Sequence, residues 1–437
     1  MRTEEKAKEQ SRGVVVVIDS QWGDGGKGKI TDLLAAFSDI VVRINGGNNA
    51  GHTSCNEHGK FALSSVPSGI FHPNAICIVG SGAILDPVHF AQEYLGLLNK
   101  GIPLAECLLA EDVHMALPWH RRRDNLREKF LGEGKIGTTG KGIGPAYADK
   151  IDRVGLRLED LGKLNFETLL RRNLVYQERL IKAMDEEQVG DYFDPEKILE
   201  ELYIARNIIA PMITNTRKII GEANDNNKNI LGEGGQGVLL DNDLGSWPYV
   251  TSSHPGIAGF PFSTGLSFQE IDKVVGVTKA YMTRVGEGPM PTEQNNEMGD
   301  YIREKGEEIG VVSGRPRRTG WFDAVITEFG VRMGGTTSVA LTKLDILDDL
   351  PEIPVCVAYE IEGREYTKLH EISVKTLETV KPVYKYLPGW MKSTREVHYF
   401  NDLPFNARKY VEFIESRVKR PINIISVGPH RDATIFR

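Results

Sequence analysis

Four consecutive valines and an isoleucine, residues 14–18, run straight into Asp19-Ser-Gln-Trp-Gly-Asp-Gly-Gly-Lys-Gly-Lys29. A β-branched run that ends in a glycine loop, with the helix-compatible Ile30-Thr-Asp-Leu-Leu-Ala-Ala36 behind it, predicts strand, loop and helix in succession. Such a turn converges backbone N–H groups on one point, and the helix dipole favours negative charge there. Lys27 and Lys29 add formal charge. The loop is expected to hold phosphate.

Two motifs share these residues. Gly23-x-x-x-x-Gly28-Lys29 fits a P-loop up to its last position, where Ile30 replaces the Ser or Thr whose hydroxyl would bind magnesium. Gly23-x-Gly25-x-x-Gly28 also fits the dinucleotide fingerprint, which asks for a carboxylate about 20 residues on to hold the ribose. The next apolar run, Asp39-Ile-Val-Val-Arg-Ile44, closes on Arg43 instead, and two lysines in the loop suit the concentrated charge of a triphosphate better. With Ile30 unable to bind metal, Asp24 inside the loop is the nearest candidate.

Composition narrows the setting. The 437 residues are 40% hydrophobic and 26% charged, ordinary for a soluble globular protein. A net charge of −7 argues against general nucleic-acid binding, so local basic clusters must meet any phosphate ligand. Cys55, Cys77, Cys107 and Cys356 lie far apart, and buried free thiols are expected rather than disulfides or zinc. Residues 1–12 are charged, lack an apolar signal core and are expected to form a disordered extension; no segment approaches a membrane span. A cytoplasmic enzyme is the expected setting.

Strands are expected at 14–18, 40–44, 75–79, 274–281, 337–342, 355–359 and 422–426, and helices at 87–98, 166–184, 195–222, 297–309, 321–333 and 405–417. The first four strands are mostly apolar throughout, as buried parallel strands are. The expected fold is α/β: a large, mostly parallel central sheet with a P-loop-like phosphate site, helices on both faces and a helical insertion. It is taken as one domain over 13–437, with a helical subdomain at about 160–226.

Functional residues in such sheets gather at the C-terminal strand ends, and five Gly-rich clusters are expected after apolar runs. Besides the first loop they are Arg43-Ile-Asn-Gly-Gly-Asn-Asn-Ala-Gly-His-Thr53, Gly137-Thr-Thr-Gly-Lys-Gly-Ile-Gly-Pro145, Gly232-Glu-Gly-Gly-Gln-Gly237 and Gly314-Arg-Pro-Arg-Arg-Thr-Gly-Trp321. The last holds Arg315, Arg317 and Arg318, whose guanidinium forks match carboxylate or phosphate in bidentate fashion. His52 is expected in a loop, where it suits proton transfer or charge stabilisation better than core packing. Thr342-Lys-Leu-Asp345 closes an apolar strand, and such a sequence reads guanine in many GTP-binding proteins: the carboxylate accepts from the ring N–H and amine while the lysine stem covers the base.

Taken together these motifs resemble the adenylosuccinate synthetase family, from Val14 to about Arg431 and in order. Further segments that carry the resemblance are Pro67-Ser-Gly-Ile70, Tyr249-Val-Thr-Ser-Ser253, Lys279-Ala-Tyr-Met-Thr-Arg-Val-Gly-Glu-Gly-Pro289 and Ser426-Val-Gly-Pro429. The resemblance implies a homodimeric ligase that joins IMP to L-aspartate using GTP and Mg2+, in AMP synthesis, with GDP and phosphate released. Asp24, His52, Lys27 and Gln236 would be catalytic: Asp24 takes the N1 proton of IMP so that O6 attacks the γ-phosphate, and His52 stabilises the phosphoryl charge. GTP would contact Gly23, Gly25, Gly26, Lys27, Gly28, Lys29, Lys343, Asp345, Ser426 and Gly428. IMP would contact Asn49, Thr139, Gln236, Thr251 and Arg315, with Arg153 reaching in from the partner subunit. Aspartate would meet Val312, Ser313, Arg315 and Arg317, and the metal Asp24 and the Gly51 carbonyl.

Departures from the family pattern stand out. Gly25 replaces an acidic residue in the loop, and Asp19-Ser20 replaces a Gly-Thr before it. Val312-Ser-Gly-Arg315 replaces Thr-Thr-Gly-Arg, and His254 replaces an Asn after Ser253. The alternative is therefore a diverged paralogue using another amine donor or a 2-amino purine nucleotide. An NAD(P)-linked dehydrogenase would account only for the first loop, and a GTP-binding regulatory module would leave the arginine cluster without a role.

Overall fold

Strand β1 (Val14–Asp19) is buried along its whole length, as a strand with neighbours on both edges and cover on both faces must be. The structure is a computed structural model describing residues 2–185, 193–310 and 314–437. The expected contacts of Val312 and Ser313 lie outside the described residues.

Nine further strands join β1: β2 (Ile40–Arg43), β3 (Ile76–Val79), β4 (Glu106–Ala110), β5 (Ile213–Thr214), β6 (Ile230–Glu233), β7 (Lys273–Lys279), β8 (Ser338–Thr342), β9 (Ile422–Ser426) and β10 (Thr434–Phe436). Among the described residues they form a ten-stranded sheet in the order β10-β9-β8-β7-β1-β6-β2-β3-β4-β5. The pairings are parallel except for β9 with β10. Side chains alternate across β1. Val15 and Val17 enter a core that also holds Ile30 and Leu34, whereas Val14, Val16 and Ile18 meet Ile220 and Phe260 on the other face. Helices therefore cover both faces, as the α/β reading expects.

Several expectations need correction. Residues 2–10 are not disordered but form helix α1 (Arg2–Gln10), with Ala7 buried. Ala7 and Ser11 sit one helical turn apart and are small enough to dock on α2 (Lys27–Ala35), where Ser11 Oγ donates to Leu34 O at 3.1 Å. Residues 195–222 do not make one helix: Pro211 follows the helix Pro195–Ile209, β5 intervenes, and Asn215 caps a new helix, Thr216–Asp225. Residues 355–359 lie outside the central sheet, within Glu352–Ile361, which pairs antiparallel with Lys381–Pro388. Residues 321–323 precede their helix, which starts at Ala324 with Asp323 as its cap. The 137–145 loop follows a helix, Pro118–Leu131, rather than a strand, and the 314–321 cluster follows the helix Glu297–Lys305.

No helix among the described residues is long and apolar enough to cross a membrane. The cysteines are free, and Cys77, Cys107 and Cys356 are buried.

Candidate active site

The first glycine loop begins where β1 ends, at the carboxyl edge of the sheet, and α2 starts at Lys27 with Gly26 in a left-handed turn at φ 92°. Loops from β2 and β6 reach the same edge on the opposite side of β1 from β7. One cavity there is lined by Gly23, Asp24, Lys27, Asn49, Gly51 and His52, and also by Thr139, Gln236, Thr251 and Arg315. Segments around residues 24, 50, 139, 236–251 and 315, distant in sequence, thus supply one site.

Lys27 is buried and donates from Nζ to Gln236 O at 2.6 Å. The Gln236 amide donates to Asn49 Oδ1 at 2.9 Å, tying the β6 loop to the β2 loop. Asp24 projects into the cavity with a quarter of its side chain exposed, and Arg317 Nη2 donates to its Oδ1 at 3.0 Å.

His52 is not a loop residue: it opens a short strand, His52–Asn56, and is buried. Its Nδ1 is hydrogen-bonded to Glu233 Oε1, while Nε2 has no protein partner and the residue lines the cavity. Burial pushes the imidazole down from its usual range, so the resting ring is neutral with Nδ1–H donated to the carboxylate. Burial alone would raise Glu233, but His52, Arg43 and Ser68 outweigh it and hold the carboxyl down at about 2. Ser68 contributes two bonds, from N at 2.8 Å and Oγ at 2.6 Å. In that tautomer Nε2 presents a lone pair to the cavity and meets negative charge there only once it is protonated, a change that the ionised acceptor behind Nδ1 favours. Sequence reading missed Glu233, although an acid closing an apolar run inside a glycine cluster was the available signal.

A second group of expected residues sits at the ends of β8 and β9. Thr342 Oγ1 donates to Gly25 O at 2.6 Å, which joins β8 to the phosphate loop. Lys343 has a left-handed backbone at φ 61° and donates from Nζ to Gly306 O at 2.5 Å. Asp345 is buried and accepts from Arg395 Nε at 3.2 Å. Lys29, expected to add charge at the phosphates, turns instead to this group. Its Nζ donates to Ser426 Oγ at 2.7 Å and to Gly428 O and Ala433 O at 2.8 Å. Lys27 and Lys29 are two helical steps apart, roughly 200° around the axis, so both cannot face the loop. Burial lowers Lys29 to about 7.

The arginines separate by role. Arg315 donates to Gly137 O at 2.8 Å and Thr138 O at 3.1 Å and lines the cavity. Arg318 is engaged with Glu293 and with Gly288 O at 2.8 Å. Arg317 bridges Asp24 to Glu308, its Nη1 lying 2.6 Å from Glu308 Oε2. Glu308 is fully buried and also receives Lys279 Nζ at 2.8 Å and the Tyr281 hydroxyl at 2.5 Å. Burial would raise its carboxyl, yet Lys279, Lys343 and Arg317 hold it at about 2. Arg153 is exposed at the end of the helix Ile143–Asp152 and does not line the cavity of its own chain. His254 lies with Nδ1 3.2 Å from Asp241 Oδ2.

The chain resembles known proteins over nearly its whole length. The family model for adenylosuccinate synthetase matches residues 16–435. The adenylosuccinate synthetase of Halothermothrix orenii is 46% identical, over 97% of this chain and 99% of that protein. That of Staphylococcus aureus is 42% identical over 96% and 98%. A fully ligated adenylosuccinate synthetase structure from Plasmodium falciparum superposes with a TM-score of 0.91 at 36% identity, covering 97% of this chain and 100% of that one. A succinoaminodeoxyadenylate synthetase of cyanophage S-2L shares the fold, with a TM-score of 0.62 at 19% identity over 97% and 95%. This chain belongs to the adenylosuccinate synthetase family of GTP-dependent C–N ligases.

Proposed function

We propose that this protein joins IMP to L-aspartate at the expense of GTP, giving adenylosuccinate, GDP and phosphate in AMP synthesis. The observation that carries the reading is the convergence of Asp24, Lys27 and His52 on one cavity with Asn49, Thr139, Gln236 and Thr251. A carboxylate, a phosphate-facing lysine and a histidine with a bare Nε2 suit phosphoryl transfer, and the amide and hydroxyl groups suit a purine nucleotide beside it.

Asp24 takes the N1 proton of IMP, and O6 attacks the γ-phosphorus of GTP to give 6-phosphoryl-IMP and GDP. The amine of aspartate then adds at C6, and phosphate leaves. Lys27 and the loop amides of Gly26 and Gly28 hold the phosphates, while Gly23 and Gly25, whose amides bond the Asp19 carboxylate, shape the loop around them. His52 Nε2 stabilises the charge on the transferring group, with Glu233 behind it favouring the protonated ring as that charge develops. Lys343 and Asp345 read guanine beside Ser426 and Gly428, whose loop Lys29 fixes. Arg315 and Arg317 take the aspartate carboxylates, Arg317 leaving Asp24 as the acid arrives. The Asp24 carboxylate and Gly51 carbonyl are hard oxygen donors lining one cavity, a set that fits Mg2+, which when bound neutralises phosphate charge. Arg153 reaches the IMP site of the partner subunit in a homodimer. Buried free thiols suit the reducing cytoplasm.

The test is phosphate release with GTP, Mg2+ and IMP against aspartate and a panel of other amino acids, with the product weighed by mass spectrometry. Release with aspartate alone, giving adenylosuccinate, supports the reading. Turnover with another amine, or only with a 2-amino purine nucleotide, overturns it.

A further inference from the structure

Asp19 ends β1 with no exposure to solvent, and the reaction above gives it no role. Its carboxylate nonetheless accepts from three backbone amides of the phosphate loop. Oδ1 accepts from Gln21 N at 2.9 Å and Gly23 N at 3.2 Å, and Oδ2 accepts from Gly25 N at 2.7 Å. Lys27 Nζ lies 3.5 Å from Oδ2. The amides of Gly23 and Gly25 flank Asp24, so one carboxylate fastens the backbone on either side of it.

Asp24 needs that restraint. Its φ is 57°, a left-handed conformation that Asp tolerates better than most L residues but that still costs energy its surroundings must offset. Gly25 completes the device through space rather than through backbone freedom. A Cβ there would meet Asp19 Oδ2 at 2.4 Å and Val277 Cγ1 at 3.3 Å. Held by its donors inside the sheet edge, Asp19 has nowhere to move. The departures at 19 and 25 are therefore one linked change: a carboxylate enters from the strand end, and the loop position above it loses its side chain.

We propose that Asp19 is the positioning residue of the phosphate loop: by bonding the amides on both sides of Asp24 it sets the turn that presents Asp24 to the reacting groups, and Gly25 is small in order to admit it. The proposal rests on the role given to Asp24 under the ligase reading.

The test uses the full chain and steady-state phosphate release with IMP, GTP, Mg2+ and aspartate. Asp19→Asn keeps the shape and turns one acceptor into an N–H donor facing a backbone amide. It should lower kcat about 10- to 100-fold, the range for losing a hydrogen bond to a charged group, with the KM for IMP within about twofold. Gly25→Ala should cost about tenfold or more in kcat with Asp19 in place and less than about twofold in an Asp19→Gly background, since the severe conflict is then gone and only the milder approach to Val277 Cγ1 at 3.3 Å remains. Equal costs in the two backgrounds overturn the proposal. So does an Asp19→Asn enzyme with kcat within twofold of the parent, or one in which kcat, all three KM values and the melting temperature deteriorate together. Should Asp19→Asn fail to fold, Gly25→Ala decides alone: a selective fall in kcat supports the pairing, and an unchanged kcat overturns it. Absence of turnover by the unaltered chain overturns the ligase reading and the proposal with it, whereas a working parent with an indifferent Asp19→Asn variant overturns the proposal only.

Discussion

Glu233→Gln tests how His52 is prepared for its work. The carboxylate is fully buried and bonded to His52 Nδ1 and twice to Ser68. Its descent from an ordinary 4.5 to about 2 corresponds to about 3 kcal/mol in favour of the ionised form. Arg43 and Ser68 share that preference with His52, so about 1–2 kcal/mol is assigned to the imidazole, or about a 5- to 30-fold effect. Glutamine keeps the size and an acceptor but cannot balance a protonated ring, the same loss that a neutral orienting residue causes in a hydrolase triad. Because Glu233 does not line the cavity, KM for GTP and IMP should stay within about twofold while kcat falls by about that factor. The assay is steady-state phosphate release at saturating substrates, run beside a thermal melt to confirm that the variant is folded. A folded Glu233→Gln enzyme with kcat within twofold of the parent would refute the reasoning, because His52 would then act without its anionic partner.

Three further outcomes are expected. Asp24→Ala should abolish turnover while GTP still binds, read by titration with a fluorescent GTP analogue; measurable turnover would remove the carboxylate from the reaction. Arg315→Leu should raise the KM for aspartate by about tenfold or more and leave that for GTP near the parent value, and an unchanged aspartate KM would move the acid site elsewhere. Asp323 caps its helix wholly buried, and burial, only partly offset by Tyr359 and the cap amides, raises its carboxyl to about 6. The folded state then binds more protons than the unfolded chain between about pH 4 and 6, so this group's contribution to stability falls as pH rises through that window. Denaturant melts of the parent and Asp323→Asn at pH 4, 5, 6 and 7 should show the parent losing stability relative to the variant over that window, and parallel profiles would sink the idea.

Much of the site was legible in the chain because its signals are local. The valine run, the glycines behind it and the lysine at 27 lie within one strand–loop–helix unit, so the phosphate loop could be placed from spacing alone, although α2 begins at Lys27, three residues before the helix-compatible run that starts at Ile30. The apolar runs gave β2, β3, β7, β8 and β9 nearly at their observed limits. Strand β6 escaped, since Ile230-Leu-Gly-Glu233 offers two apolar residues and no period. The same limit hid its neighbours: β6 inserts between β1 and β2, and only that insertion brings Glu233, 181 residues away in sequence, behind the imidazole of His52. Lys29 was misdirected for a different reason, because two lysines adjacent in a motif point to opposite sides once the helix begins.

The order of residues along the chain thus determined the chemistry on offer: an anion loop, a histidine, an arginine cluster and a guanine-like motif. Tertiary structure decided which groups meet. It put Arg317 on Asp24, Glu308 among Lys279, Arg317 and Tyr281, and Asp19 into the space that Gly25 leaves open. Periodicity and turn chemistry act over a few residues, whereas strand order and the burial it imposes depend on contacts across the whole chain, and burial is what sets the charge states on which the reaction relies.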